Sequence, residues 1–255
     1  MSKLLEGKTA LILGIANKWS LAYAIAQAFS REGARLVLTY LGERQKESIE
    51  ELSKGLQVAA ILPCDVTRDE ELAALTESLR PLGRLDAVMH SLAFASPEDL
   101  SRPFLQTGRQ GFLLAQNVSA YSLVAVARAT AELMTEGGSL STLTYLGSTR
   151  IVSGYNVMGV AKAALEASMR YLAEDLGPRK IRVNAISAGP VKTASARGIK
   201  NFSRVLEVAP QRAPLRRNTD PAEVADAAVF LASDLGRGVT GNVLFVDAGM
   251  QIMGF

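Results

Sequence analysis

A doubly wound α/β fold, built on one parallel sheet of about seven strands, is predicted by three features of this 255-residue sequence. Short apolar runs alternate with stretches of helical periodicity along nearly the whole chain. The runs lack strict apolar–polar alternation, which is the pattern of strands covered on both faces. No Pro/Gly-rich linker, internal repeat or low-complexity segment divides the chain, so residues 1–255 are expected to form a single domain.

Each element follows from its local pattern. The run Thr9-Ala-Leu-Ile-Leu13 ends at Gly14 and reads as the first strand, followed by a helix over Leu21–Arg31. Arg35–Tyr40 is the second strand and precedes a charged helix, Glu43–Lys54. Strands are expected at Val58–Leu62 and Leu85–His90, with a helix over Asp69–Leu79 between them. One long helix, about Gly111–Met134, leads to strand Ser139–Tyr145, and a helix over Tyr155–Leu176 leads to strand Arg182–Ile186. Asp220-Pro221-Ala222-Glu223 has the chemistry of a helix start, with Asp as cap, Pro in the first turn and Glu three residues on. That helix runs to about Ser233 and gives way to strand Asn242–Val246. The longest irregular stretch, Ala188–Asn218, is either a mobile lid or a small helical insertion, with the lid itself spanning about 190–218.

Composition narrows the function classes. Arg128 and Glu132 interrupt the most apolar candidate for a membrane span, and the first residues lack a signal-peptide hydrophobic region, so a cytoplasmic protein is expected. A lone Cys64 and a lone His90 rule out a disulfide framework and argue against a zinc site, so no metal is expected. Cys64 reads as a buried small hydrophobe. The net charge of +3 is small and dispersed, which gives no case for nucleic acid but leaves room for an acidic partner.

The carboxyl ends of the strands hold the candidate nucleotide site. Gly14-Ile-Ala-Asn-Lys-Trp-Ser20-Leu21-Ala22 joins the first strand to its helix, where backbone amides and a helix N-terminus can hold a pyrophosphate. Gly-x-Gly-x-x-Gly is absent; Gly14 remains, and Ser20 offers a hydroxyl that would bond a phosphate or cap the helix. Asp65 and Val66 follow the third strand and would meet an adenine ring, unless Asp65 caps the next helix. Ser91-Leu92-Ala93 follows the fourth and would pass beneath the adjacent ribose, unless it serves tight packing alone.

Tyr155 and Lys162 supply the chemistry. Seven residues apart on a continuous helix, they would share a face. An ammonium beside a phenol favours its ionised form, and such a tyrosine can donate a proton or a strong hydrogen bond to a developing oxyanion. A purely structural pairing is the alternative for these two residues considered alone.

With these motifs in order, the chain resembles the short-chain dehydrogenase/reductase family, a Rossmann-type fold, and more closely its bacterial enoyl-acyl-carrier-protein reductase branch. The resemblance covers essentially the whole chain. It rests on Tyr155-x6-Lys162 in place of the common Tyr-x-x-x-Lys, and on Gly14-x5-Ser20-x-Ala22 in place of the glycine-rich turn. Tyr145 stands ten residues upstream of Tyr155, and His90-Ser-Leu-Ala-Phe-Ala95 and Ala188-Gly-Pro-Val-Lys-Thr193 match two further motifs. The resemblance implies NADH-dependent reduction of the trans-2 double bond of enoyl thioesters in fatty acid synthesis. It assigns Tyr155, Lys162 and Tyr145 to catalysis, and Gly14, Ser20, Leu21, Leu41, Asp65, Val66, Leu92 and Lys162 to the dinucleotide. Val191, Lys192, Thr193, Ala194 and Ser195 fall near the nicotinamide carboxamide, and Ala95 against the acyl substrate.

Two positions depart from the family pattern. Ala93 replaces a frequent glycine and would narrow the pocket for flat aromatic inhibitors. Leu41 stands where many NADH-using members have a polar residue near the adenine ribose, and Arg44 could meet a 2′-phosphate, so NADPH is the alternative to the expected NADH. The implied partners are an acidic acyl carrier protein, for which Lys200 and Arg204 would share one face of a lid helix, and further copies of the chain in a homotetramer packed through the two long helices. The rival functions are a short-chain carbonyl reductase or alcohol dehydrogenase, and a non-catalytic nucleotide sensor on the same scaffold.

Overall fold

A computed structural model describes residues 3–193 and 202–254 of the chain. Seven parallel strands form one sheet, β1 (Thr9–Leu13), β2 (Arg35–Tyr40), β3 (Val58–Pro63), β4 (Ala87–His90), β5 (Gly138–Thr144), β6 (Ile181–Ala188) and β7 (Val243–Val246). Their order is β3-β2-β1-β4-β5-β6-β7. The order reverses between β1 and β4, and this switch point opens a crevice at the carboxyl ends of the strands.

Both faces of the sheet are covered, as the unalternated strands predict. Leu11, Leu13, Val37, Val88, Leu140 and Val183 pack in one cluster with α3 (Asp69–Leu79), α6 (Ser122–Thr130) and α7 (Asn156–Leu176). Ala10, Ile12, Leu36, Leu38 and Met89 face the other way, toward α1 (Leu21–Arg31), α2 (Glu43–Leu52) and α9 (Pro221–Ala232). Successive strand residues thus feed two separate cores. Helix α9 begins as its sequence predicts: the Asp220 side chain accepts from Ala222 N–H at 2.8 Å, and Glu223 accepts from Asp220 N–H at 2.9 Å.

The structure departs from the sequence reading in two helices. The expected single helix over 111–134 is α5 (Arg109–Gln116) and α6, separated by a π-helical turn over Asn117–Tyr121 and followed by a 3₁₀ turn over Ala131–Leu133. The widened turn coincides with Ser119, whose hydroxyl donates to Phe94 C=O at 3.0 Å and accepts from Phe94 N–H at 2.9 Å. These bonds tie the widened turn to the segment after β4, and such π turns concentrate at functional sites.

The second departure is at α7, which begins at Asn156, so that Tyr155 is its capping residue and not its first turn. Asn156 has φ 41°, a left-handed backbone that breaks any continuous helical register between Tyr155 and Lys162. Among the described residues of the irregular stretch 188–218 there is one helix, α8 (Phe202–Arg212). A short helix, α4 (Pro97–Ser101), has no counterpart in the sequence reading.

Candidate active site

The switch point is a close contact between two strand ends. Leu13 pairs with His90, and Ser91 N–H donates to Leu13 C=O at 3.1 Å, so the turn after β1 lies against the segment after β4. A side chain at Gly14 would collide with the Ser91 carbonyl oxygen, and Gly14 also has φ +99°. Both facts require glycine there. Ser20 caps α1: its hydroxyl donates to Asn17 C=O at 2.7 Å and accepts from Tyr23 N–H at 3.3 Å.

A cavity of about 490 Å³ occupies this crevice and brings most of the expected residues together. Gly14, Ser20, Leu21, Leu92, Val191 and Thr193 line one part of it. Tyr145, Tyr155, Lys162 and Ala95 line another, and Ala93 also borders it. Asp65, Val66, Leu41 and Lys192 lie outside its lining. The Asp65 carboxylate accepts from Thr67 N–H at 2.9 Å and Thr67 Oγ1 at 2.7 Å, an Asx turn, while Val66 packs into the core and Leu41 is 63% exposed. Asp65 does not cap α3, whose capping position is Arg68. Ala194, Ser195 and Lys200 lie outside the described residues.

Gln45 is a lining residue that the sequence reading missed. It accepts from Leu41 N–H and donates to Ile15 C=O at 2.9 Å, clamping the end of β2 to the turn after β1. Its only signal in the sequence is a neutral amide in the first turn of a charged helix.

The catalytic candidates come from α7 and the end of β5. Lys162 Nζ donates to Leu143 C=O at 2.8 Å, tying the helix to the strand end. The rings of Tyr145 and Tyr155 meet edge to face, with centroids 5.1 Å apart and planes at 74°. Asn156 fixes the turn that carries Tyr155: its carboxamide donates to Leu100 C=O at 3.0 Å and Arg102 C=O at 2.7 Å, at the end of α4. Those bonds stabilise a left-handed residue at a helix start, a role the sequence reading missed.

Burial governs the charges. The Tyr155 phenol is pushed well above the usual tyrosine range by desolvation, with Tyr145 and Glu166 adding to the shift. This corrects the expected lowering by Lys162: Tyr155 is 7% exposed, and its loss of water, Tyr145 and the negative Glu166 all favour the neutral phenol. Desolvation brings Lys162 down to about 8, opposed by the negative charge of Glu166. His90, fully buried, is lowered to about 3 by desolvation and the Lys162 charge. It is therefore neutral, and bridges Thr142 Oγ1 at 2.9 Å and Ser122 Oγ at 2.8 Å. Cys64 is buried, as expected, and desolvation pushes its thiol up to about 12.

The donor set suits a dinucleotide. The N-terminus of α1 opens onto the cavity beside Ser20, Lys162 is the one charged side chain among its described lining residues, and no acidic group faces it there. Such a wall accepts a pyrophosphate at one end and leaves a neutral phenol and an ammonium at the other. A second cavity, about 840 Å³, shares Tyr145, Ala188, Gly189 and Pro190 with the first and continues toward Val152, Arg204 and Met250.

The family described as enoyl-(acyl carrier protein) reductase matches residues 14–251. The chain belongs to this family. A Bacillus cereus relative named enoyl-[acyl-carrier-protein] reductase [NADH] is 54% identical, covering 99% of this chain and 100% of the relative. A Staphylococcus aureus relative named as the NADPH form is 50% identical, covering 97% of this chain and 98% of the relative. The crystal structure of a Bacillus cereus enoyl-acyl carrier protein reductase with NADP+ and indole naphthyridinone superimposes with a TM-score of 0.97 at 54% identity, over 99% of this chain and 100% of the other. The Anaplasma phagocytophilum reductase in complex with NAD gives 0.95 at 43% identity, over 100% of this chain and 96% of the other.

The Asn156 bonds generate a stability prediction for this member of the reductase family. Asn156→Ala loses both hydrogen bonds and strains the left-handed residue, which is expected to cost about 2–3 kcal/mol. Asn156→Gly keeps the backbone freedom and should cost about 1 kcal/mol. Denaturant unfolding of the two variants checks the order, and equal losses would remove the left-handed constraint from the account.

Proposed function

We propose that this protein is an NADH-dependent enoyl-acyl-carrier-protein reductase that saturates the trans-2 double bond of enoyl thioesters in fatty acid synthesis. The observation that carries the reading is the edge-to-face pair of buried Tyr155 and half-buried Tyr145, which line the same cavity as Lys162 and the phosphate-binding turn. When bound, the reduced dinucleotide would supply the hydride taken up by the β-carbon, and the α-carbon would then take its proton from solvent through a relay or from the enol. Gly14, Ser20 and Leu21 hold its pyrophosphate, Leu92 its adenosine ribose, and Val191 and Thr193 its carboxamide end. Asp65, Val66 and Leu41 border its adenosine half, and Lys192, Ala194 and Ser195 continue the carboxamide segment.

Tyr155 acts as a neutral donor. Its phenol bonds the thioester oxygen, which becomes negative as the enolate forms, and desolvation keeps the proton on the tyrosine until that charge develops. Lys162 holds the nicotinamide ribose and adds positive potential beside the phenol. Tyr145 orients the thioester, and Ala95 borders the acyl chain. The second cavity extends the acyl site, and residues of about 190–218 serve as a substrate lid within the single domain formed by residues 1–255. A carbonyl reductase would need neither the Tyr145–Tyr155 pair nor this second cavity.

The carrier protein approaches the exposed Arg204 of α8, and Lys200, outside the described residues, is the second cation proposed for this docking. Electrostatic attraction there raises the association rate more than the affinity. Exposed Phe112, Leu113, Leu114, Tyr121 and Tyr171 on α5, the π turn and α7 support a homotetramer built through these helices. No described helix is long and apolar enough to cross a membrane, in keeping with action in the cytoplasm. At the end of β2, Leu41 and Gly42 offer no charge to a 2′-phosphate and Lys46 is paired with Glu43 at 3.6 Å, while Arg44 is exposed on α2; NADH is the proposed cofactor and NADPH the alternative that Arg44 would serve.

Steady-state reduction of a trans-2-enoyl thioester is the central test. NADH is expected to give the higher kcat/KM, and a preference for NADPH would overturn the cofactor assignment. Tyr155→Phe should lower kcat by about 10²–10³ while NADH binding is retained; wild-type turnover by this variant would remove the catalytic assignment. Charge reversal at Lys200 and Arg204 should slow carrier-linked turnover at low salt and spare a small thioester, and equal rates would exclude that docking face. Sedimentation velocity tests the tetramer, for which a monomer is the contrary result.

A further inference from the structure

Glu166 is a buried carboxylate to which the reaction above gives no role. It is 6% exposed and lies on α7 one turn beyond Lys162. Thr144 Oγ1 donates to Glu166 Oε1 at 2.6 Å, and the preceding residue, Leu143, accepts from Lys162 Nζ at 2.8 Å. Helix α7 therefore grips two successive residues of β5, one through an anion and one through a cation, immediately before Tyr145. Burying a carboxylate costs several kcal/mol before compensation, so a charge kept at this place needs a reason beyond joining helix to strand. A neutral glutamine could accept the same Thr144 hydrogen bond.

We propose that Glu166 is a positioning residue for the reaction, a fixed counter-charge oriented by Thr144 that sets the charge state of the Tyr155–Lys162 pair. The inference rests on the reductase reading. The negative charge acts in the same direction on both partners. It opposes loss of the proton from Lys162, which burial alone would drive below about 8, and it adds to desolvation in keeping the Tyr155 phenol neutral. Glu166 thus favours an ammonium and a protonated phenol together, the two states that the proposed chemistry uses.

The other groups around this charge do not substitute for it. At the end of β4, His90 is neutral and bonded to Thr142 and Ser122. At the end of β5, Tyr145 is raised by desolvation and contacts the Tyr155 ring. From β6, Arg182 turns to the carbonyls of Leu231, Ser233 and Val239. Asp99 of α4 is bonded to Ser96, and Arg109 of α5 and Arg128 of α6 are exposed.

Glu166→Gln keeps an acceptor for Thr144 and removes the charge. In the variant, Lys162 loses its proton at lower pH, so the alkaline limb of kcat/KM moves down in pH. Turnover at pH 8 is expected about tenfold below wild type, with less than a twofold difference at pH 6.5. Thr144→Val leaves the charge in place and should keep a limb closer to that of wild type. A direct readout in the ligand-free protein is the ¹⁵N titration of Lys162 Nζ, which must move to lower pH in Glu166→Gln.

A uniform loss of activity with an unmoved limb and an unmoved Lys162 titration would make Glu166 structural and overturn the proposal. Should Glu166→Gln not fold, Glu166→Asp decides: it retains a charge, and a limb displaced to lower pH by about as much as removal of the charge predicts would contradict the proposal. Failure of the wild type to reduce any enoyl thioester would instead defeat the reductase reading, and the ¹⁵N titration would still test Glu166.

Discussion

The hydrogen bond from Lys162 Nζ to Leu143 C=O is the contact on which the site depends. An ammonium that is 5% exposed needs several acceptors and a counter-charge, or its burial would unfold the segment around it. The end of β5 gives a carbonyl, α7 gives Glu166, and the cavity leaves space for a ligand with hydroxyl and phosphate oxygens. The same bond sets the distance between α7 and β5, and so between Tyr155, which precedes the helix, and Tyr145, which follows the strand. Moving Lys162 would therefore disturb both tyrosines as well as the nucleotide end of the site.

The strands were the most legible part of the sequence. Thr9–Leu13 and Arg35–Tyr40 have the bounds that their apolar runs predict, because central strands covered on both faces have little polar sequence to blur their ends. The start of α9 was legible for a different reason, since Asp, Pro and Glu each satisfy a distinct need of a helix N-terminus within four residues. The break between α5 and α6 was not legible. Leu113 through Ala131 keeps helical periodicity, and the π turn depends on Ser119 meeting Phe94, a partner 25 residues away in the chain. Local patterns do not record such a partner.

The candidate site divides in the same way. Gly14, Ser20, Leu92 and Lys162 stand at strand ends or early helical turns, positions that the α/β topology assigns to a ligand. Gln45 was missed because its function is a clamp between two loops. The state of the Tyr155 phenol was misread for a reason of kind, not of detail. A neighbouring cation can be inferred from spacing, but the desolvation that outweighs it is a property of packing, here by Ala95, Leu100 and Met158 around the ring.

The spacing of Tyr155 and Lys162 acquires a different physical meaning once Asn156 is considered. On an unbroken helix, seven residues would place the two side chains on one face by periodicity alone. In this protein the helical path begins after Tyr155, and the left-handed Asn156 redirects the chain between them. The tyrosine is therefore positioned by α4, through the Asn156 carboxamide on the Leu100 and Arg102 carbonyls, while the lysine is positioned by β5. Two independent anchors let the phenol and the ammonium face one cavity without lying in each other's direct hydrogen-bonding range. Desolvation keeps the phenol protonated, which is the state that the proposed donation to a developing oxyanion requires.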